Sequence, residues 1–161
     1  MAVYKILLSG DPLLRQIAKP VNKINTGVLR VLDNMVDSMR DANGAGIAAP
    51  QIGVSKRIIV VEAGEDELIE LINPEIIEKS GEQTGREGCL SVPNMSGVVT
   101  RSQRVIIRGL NRNGEKCEYE GIDHLARVFQ HEVDHLNGIL YTDLAKEIEN
   151  DDGEEFDDED E

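Results

Sequence analysis

The segment His131-Glu132-Val133-Asp134-His135 carries two imidazoles four positions apart, with a carboxylate beside the first. On a helix, residues i and i+4 share one face about one turn apart, so both rings can grip one cation. Glu132 then projects where a general base for an activated water is wanted. The competing reading is a solvated helix face that happens to hold two of the chain's three histidines. The chemistry of the first reading is metal-assisted hydrolysis. A divalent ion lowers the pKa of water from about 16 towards roughly 7, and preorganised donors stabilise charge growing on a carbonyl oxygen.

Two histidines need a third protein ligand and one open position to make a hydrolytic centre. Cys89, Cys117, His124 and the acids after the motif, of which Asp143 and Glu147 are nearest, are the candidates. His124 lies seven residues before His131 on nearly the same stripe. A metal held between His131 and His135 would sit roughly 13 Å further along the axis, out of its reach, so His124 reads as a cleft-lining or surface residue. Cys117 falls within an expected hairpin strand, where a small buried hydrophobe is the commoner role. Cys89 lies in Glu87-Gly88-Cys89-Leu90-Ser91, where Gly88 permits close approach of backbone to a ligand. A thiolate with two imidazoles suits zinc, and ferrous iron as well; a buried, unreactive Cys89 is the alternative.

Two other classes of protein compete. Peptidases with this helix motif usually take their third ligand downstream, but only 26 residues follow His135, which favours Cys89. A module using the metal structurally would need a fourth protein ligand in place of water.

The elements that must position these groups follow from periodicity. Val28, Leu29, Val31, Leu32, Met35, Val36 and Met39 repeat at helical spacing, with Asn25 or Thr26 to cap the start and Asn43-Gly44 to end it. Gly44–Gln51 holds too many small residues and too central a Pro for regular structure, and reads as an ordered loop. Arg57–Glu62, Glu67–Ile72 and Glu75–Glu78 read as strands. Arg104–Leu110 and Lys116–Glu120 read as a hairpin turned by Asn113-Gly114. Ile122 to Leu136 returns to helical spacing, and Gly138 is placed to stop it. Helix, strands, helix without alternation predicts an α+β fold: small antiparallel or mixed sheets packed on a C-terminal helix that carries the motif, with an N-terminal helix.

Composition narrows the rest. Hydrophobic residues make up 40% of the 161 and aromatics 3%, with no Trp, so Ile, Leu and Val must build the core. The net charge of −14 is uneven: residues 146–161 carry eleven acids and one base, residues 1–145 twenty and sixteen. The expectation is one folded catalytic domain over 1–145 and an acidic, disordered tail over 146–161. No basic patch suggests nucleic-acid binding, no apolar run approaches the roughly 20 residues that cross a bilayer, and no nucleotide-binding glycine pattern is present. Two cysteines without a secretion signal favour reduced thiols in a cytoplasm.

Gly44-Ala45-Gly46-Ile47-Ala48-Ala49-Pro50-Gln51, Glu87-Gly88-Cys89-Leu90-Ser91 and Gln130-His131-Glu132-Val133-Asp134-His135, in this order, resemble the three motifs of the peptide deformylase family. The likeness runs to about Leu144. It implies Cys89, His131 and His135 as ligands of one divalent ion, commonly ferrous iron, with zinc, nickel or cobalt able to occupy the site. It implies Glu132 as general acid/base, and the Gln51 side-chain amide and Leu90 N–H as oxyanion donors. Ala45, Gly46 and Gly88 would align the substrate peptide as an added strand. His124, Arg127 and Val128 would approach the pocket for the substrate's methionine side chain, Arg127 through its stem or by binding substrate carbonyls. The implied substrate is the formylated N-terminus of newly made polypeptides. Some bacterial members carry a C-terminal helix that contacts the ribosome; the negative run here would be repelled by RNA, so proximity to the ribosome is expected without docking through that end.

Overall fold

A computed structural model describes residues 2–150. The chain runs through α1 (Thr26–Asp41), β1 (Gly46–Ala48), β2 (Ile58–Gly64), β3 (Glu67–Ser80), β4 (Gln83–Cys89), β5 (Val92–Arg101), β6 (Arg104–Leu110), β7 (Lys116–Ile122), α2 (His124–Leu136), α3 (Tyr141–Leu144) and β8 (Lys146–Asn150). The strands form two antiparallel sheets, one ordered β1-β2-β3-β6-β7 and one ordered β4-β5-β8. The expected α+β architecture is present.

The larger sheet is covered on both faces, and the side-chain alternation of β2 shows how. Ile59 and Val61 point to one cluster, with Leu71, Val105, Ile107 and, from α2, Phe129 and Leu136. Ile58 and Val60 point to the other, with Ile72 and, from α1, Leu32, Met35 and Met39. Burying each such side chain contributes about 1.5–3 kcal/mol, so α2 is fixed against the sheet along its apolar stripe. Asn25 caps α1, its Oδ1 accepting from Val28 N–H at 3.0 Å. Gly138 ends the α2 segment at φ 76°, and a Cβ there would stand 2.6 Å from Arg15 O.

The two runs Glu67–Ile72 and Glu75–Glu78 are one strand, β3, whose register against β6 shifts between Ile72 and Glu75. Asn73 turns to φ 54° there and binds Val21 through both N–H and C=O at 2.8 Å. α2 begins at His124, and Ile122 closes β7 instead.

Three expectations are corrected. Gly44–Gln51 is not a loop throughout: Gly46–Ala48 is the edge strand β1, paired to β2, and Ala49–Ile52 is a turn of 3-10 helix. The small residues let the backbone lie close to its neighbours, and Pro50 is tolerated in a first helical turn. β4 and β5 were not expected, because Gly85, Gly88, Pro93 and Gly97 interrupt any alternation. The folded body also passes residue 145. Lys146–Asn150 pairs with β5, Met95 opposite Asn150 and Val98 opposite Lys146, and Arg86 meets Glu149 at 3.1 Å. Backbone pairing to a free sheet edge does not need apolar side chains, which is why an acidic stretch can form it. The remainder of the expected tail, 151–161, lies outside the described residues.

Candidate metal centre

A cleft of about 440 Å³ opens between β1, the β4–β5 hairpin and α2. Sequence periodicity explains the α2 side. Its apolar stripe turns to the sheet, and the adjoining face brings Glu132 and His131 to the cleft, with His135 beneath at 1% exposure. β4 brings Cys89 from the opposite wall. Cys89 Sγ lies 3.3 Å from His135 Nε2, and ligand-type atoms of Cys89, His131 and His135 all lie within 4.8 Å of one another. Among the described residues no fourth Cys, His, Asp or Glu joins that group.

His131 Nδ1 meets Glu87 Oε1 at 2.9 Å, which leaves Nε2 for the centre. Arg101 binds both oxygens of Glu87, with Nη2 to Oε1 at 2.9 Å and Nε to Oε2. Arg101 also reaches Asp134 at 2.8 Å. Burial works to push Glu87 up, but the bonds from His131 and Arg101 outweigh it and hold the carboxyl at about 2. Burial lowers His135 well below the usual imidazole range, and neighbouring His131 adds to this. Burial also pushes Glu132 up, to about 7. Its Oε1 and His135 Nδ1 are buried with no hydrogen-bond partner among the described residues. One sulfur and two ring nitrogens in a buried cluster, with a carboxylate oxygen left over beside it, fit a three-ligand divalent ion with an open position.

Gln51 is 1% exposed and held by its own turn, its Oε1 accepting from Ala48 N–H at 2.9 Å. Its amide Nε2 is thereby aimed at Ser91 Oγ, 3.1 Å away, and at Cys89 Sγ, 3.7 Å away. Leu90, Ala45, Gly46, Gly88, His124, Arg127 and Val128 line the same cleft. Arg127 differs from the others in that its donors reach protein groups: Glu87 Oε2 at 2.6 Å, Val99 O at 3.1 Å and Gln83 Oε1 at 3.3 Å. Asp143 is elsewhere, paired with Arg15. Cys117 is half-buried on β7, donating to Gly109 O.

Sequence reasoning missed Arg86, Pro93, Asn94 and Met95 in the cleft wall, and the partnership of Glu87 with His131. Glu87 carried one signal: it stands two residues from Cys89, the spacing of one strand face. Arg101 and Asp134 carried none, since their meeting depends on the long-range approach of β5 to α2.

Residues 3–151 match the family described as polypeptide deformylase. The peptide deformylase of Carboxydothermus hydrogenoformans is 57% identical over 148 residues, 92% of this chain and 97% of that protein. That of Heliobacterium modesticaldum is 54% identical over 155 residues, 96% of this chain and all of that one. The crystal structure of a peptide deformylase from Legionella pneumophila superposes with a TM-score of 0.88 at 42% identity, covering 91% of this chain and 88% of that one. The Thermotoga maritima enzyme gives 0.87 at 40% identity, covering 91% and 99%. A family match over nearly the whole chain, joined to a cleft holding Cys89, His131 and His135 together, places this chain in the polypeptide deformylase family.

Proposed function

We propose that the cleft hydrolyses the formyl group from the N-terminal formylmethionine of new polypeptides, with Glu132 carrying the proton. The observation that supports this most is Glu132 itself: a carboxylate 4% exposed, with Oε1 unpartnered, beside a cluster of three ligand-type atoms.

Cys89 Sγ, His131 Nε2 and His135 Nε2 would hold the ion, with Glu87 fixing the ring of His131. A divalent cation there supplies Lewis-acid chemistry that makes water nucleophilic near neutral pH. Ferrous iron is the proposed ion, on the family resemblance; the donor set also accommodates zinc, nickel or cobalt. Glu132 Oε1 takes the proton from the attacking water. Burial, which pushes this carboxyl up, favours its taking and returning a proton during the reaction. As the carbon–nitrogen bond breaks, Glu132 returns the proton to the leaving nitrogen, and formate and a free amine result. Gln51 Nε2 and the Leu90 N–H face the carbonyl oxygen as it gains charge; one such donor is worth about 3–4 kcal/mol in the transition state.

Both cleft walls end in sheet edges. β1 borders the larger sheet and β4 the smaller. A substrate peptide can therefore add as a strand at Ala45, Gly46 and Gly88, with its methionine side chain towards Val128 and His124. Formylated chains are made where translation initiates, so the proposed setting is the cytoplasm, near the ribosome. Among the described residues no helix is long and apolar enough to cross a membrane.

The test is formate release from formyl-Met-Ala by anaerobically purified protein, with elemental analysis alongside. Glu132→Ala should keep its metal and lose activity by at least about 100-fold, the lower range for a general base. An unchanged rate would remove Glu132 from the reaction.

A further inference from the structure

The three ligand-type side chains of the centre ride on two different bodies. Cys89 ends β4 in the smaller sheet, whereas His131 and His135 belong to α2, which packs on the larger one. Their mutual distance therefore depends on what ties α2 to β4 and β5.

His131–Glu87 and Asp134–Arg101 are two such ties, and Arg127 makes the most extensive one. It starts from α2, yet all three of its acceptors lie on the smaller sheet: Glu87 and Gln83 on β4, and Val99 on β5. The residue is 7% exposed, and a Cβ at Gly85 of β4 would stand 3.3 Å from its Nη2, so the strand lies against the guanidinium. The carboxylate of Glu87 is fully subscribed. Oε1 meets His131 and Arg101, and Oε2 meets Arg101 and Arg127. A planar fork with fixed donors transmits geometry where a flexible ammonium would not.

We infer that Arg127 is a positioning residue for the metal centre, holding the β4 wall with Cys89 at the distance from His131 and His135 at which one cation is shared. This rests on the metal-centre reading above. It assigns Arg127 to the protein side of the cleft, and the sequence expectation of a substrate contact becomes the rival. A second rival is a pure field effect. A guanidinium close to a cation repels it, so removing the charge would tighten metal binding.

The experiment uses full-length wild type, Arg127→Met and Arg127→Lys, each stripped and reloaded with cobalt(II) without oxygen. Cobalt affinity is read by chelator competition, the Cys89 thiolate by its charge-transfer absorption, and folding of the metal-free forms by thermal unfolding. KM is measured on formyl-Met-Ala and formyl-Leu-Ala. Both variants should bind cobalt about 10- to 100-fold more weakly, the usual cost of losing an outer-sphere partner. The absorption should weaken, and the ratio of the two KM values should stay as in wild type. Arg127→Lys keeps the charge and the stem, so a cobalt loss in that folded variant belongs to the lost fork. Equal or tighter cobalt binding in Arg127→Met overturns the inference, as does an unchanged affinity with a KM ratio that shifts. A wild type that takes up no cobalt overturns the metal-centre reading itself.

Discussion

The carboxylate of Glu132 occupies the space that a side chain at Gly46 would need: Oε2 lies 2.7 Å, and Cγ 3.1 Å, from where a Cβ on Gly46 would stand. Real Cβ atoms do not approach oxygen so closely, so any larger residue must displace either β1 or Glu132. Val128 Cγ1, at 3.0 Å from the same point, closes the remaining direction. Gly46→Ala is therefore expected to lower kcat by about 100-fold, the effect of roughly an ångström of misplacement at a reacting group. Metal content, read by elemental analysis, should not change. Wild-type kcat in that variant would show that Glu132 relaxes freely and that its placement is not critical.

The source of the third ligand is decided by two substitutions. Cys89 Sγ is 3.3 Å from His135 Nε2, whereas Asp143 pairs with Arg15 and accepts from Leu140 N–H. Cys89→Ala should lose bound metal on gel filtration in chelator-treated buffer, and Asp143→Ala should retain it. The reverse pattern would point to a peptidase-like site with a downstream ligand.

How much of this was legible in the sequence depends on whether a feature is local. The spacing of His131 and His135 is a property of one helix, and their convergence is visible in the sequence alone. The helical stripes of α1 and α2, and the β6–β7 hairpin with its Asn113-Gly114 turn, are local in the same sense. β4 and β5 also form a hairpin, joined by two residues, but glycines and Pro93 hide their alternation. The cluster around Glu87 was illegible because it is not local. Arg101 and Arg127 reach it from β5 and α2, and no spacing in the chain announces that three elements will meet at one carboxylate. Gln51 was found only through the family resemblance; the 3-10 turn that aims its amide has no signature beyond Pro50.

Glu87 makes the fold sensitive to acid. Its carboxyl titrates at about 2 in the folded chain against an ordinary 4.5, so it is a group whose folded pKa is depressed. Its contribution is fully present above 4.5 and is lost as pH falls from there towards 2. For a side chain 3% exposed, the shift corresponds to about 3 kcal/mol. Urea unfolding of the metal-free protein at pH 6, 4 and 2.5 should show this loss, and Glu87→Gln should flatten the slope between 4.5 and 2. A variant whose stability falls as steeply as wild type would assign acid sensitivity to other carboxylates.

The end of β8 separates a strand that supports the cleft from a run of charge that does not. β8 runs antiparallel to β5 and reaches Asn150 opposite Met95, a residue of the cleft wall. Ile148 covers Gly97, where a Cβ would stand 3.2 Å from Ile148 Cγ1. Truncation after Asn150 removes nine acidic residues and no part of that pairing. Turnover of short formylated peptides should be unchanged, since no group proposed for the reaction is lost. Truncation after Ala145 strips the outer edge of β5 and frees Arg86 from Glu149. This form should melt at least about 3 °C lower, as expected for a loss of about 1 kcal/mol in a domain of this size. Its KM should rise, because Met95 loses the strand that backs it. If both truncations behave like the full chain in calorimetry and in formate release, β8 contributes nothing to the cleft, and the expected boundary at residue 145 holds in energetic terms.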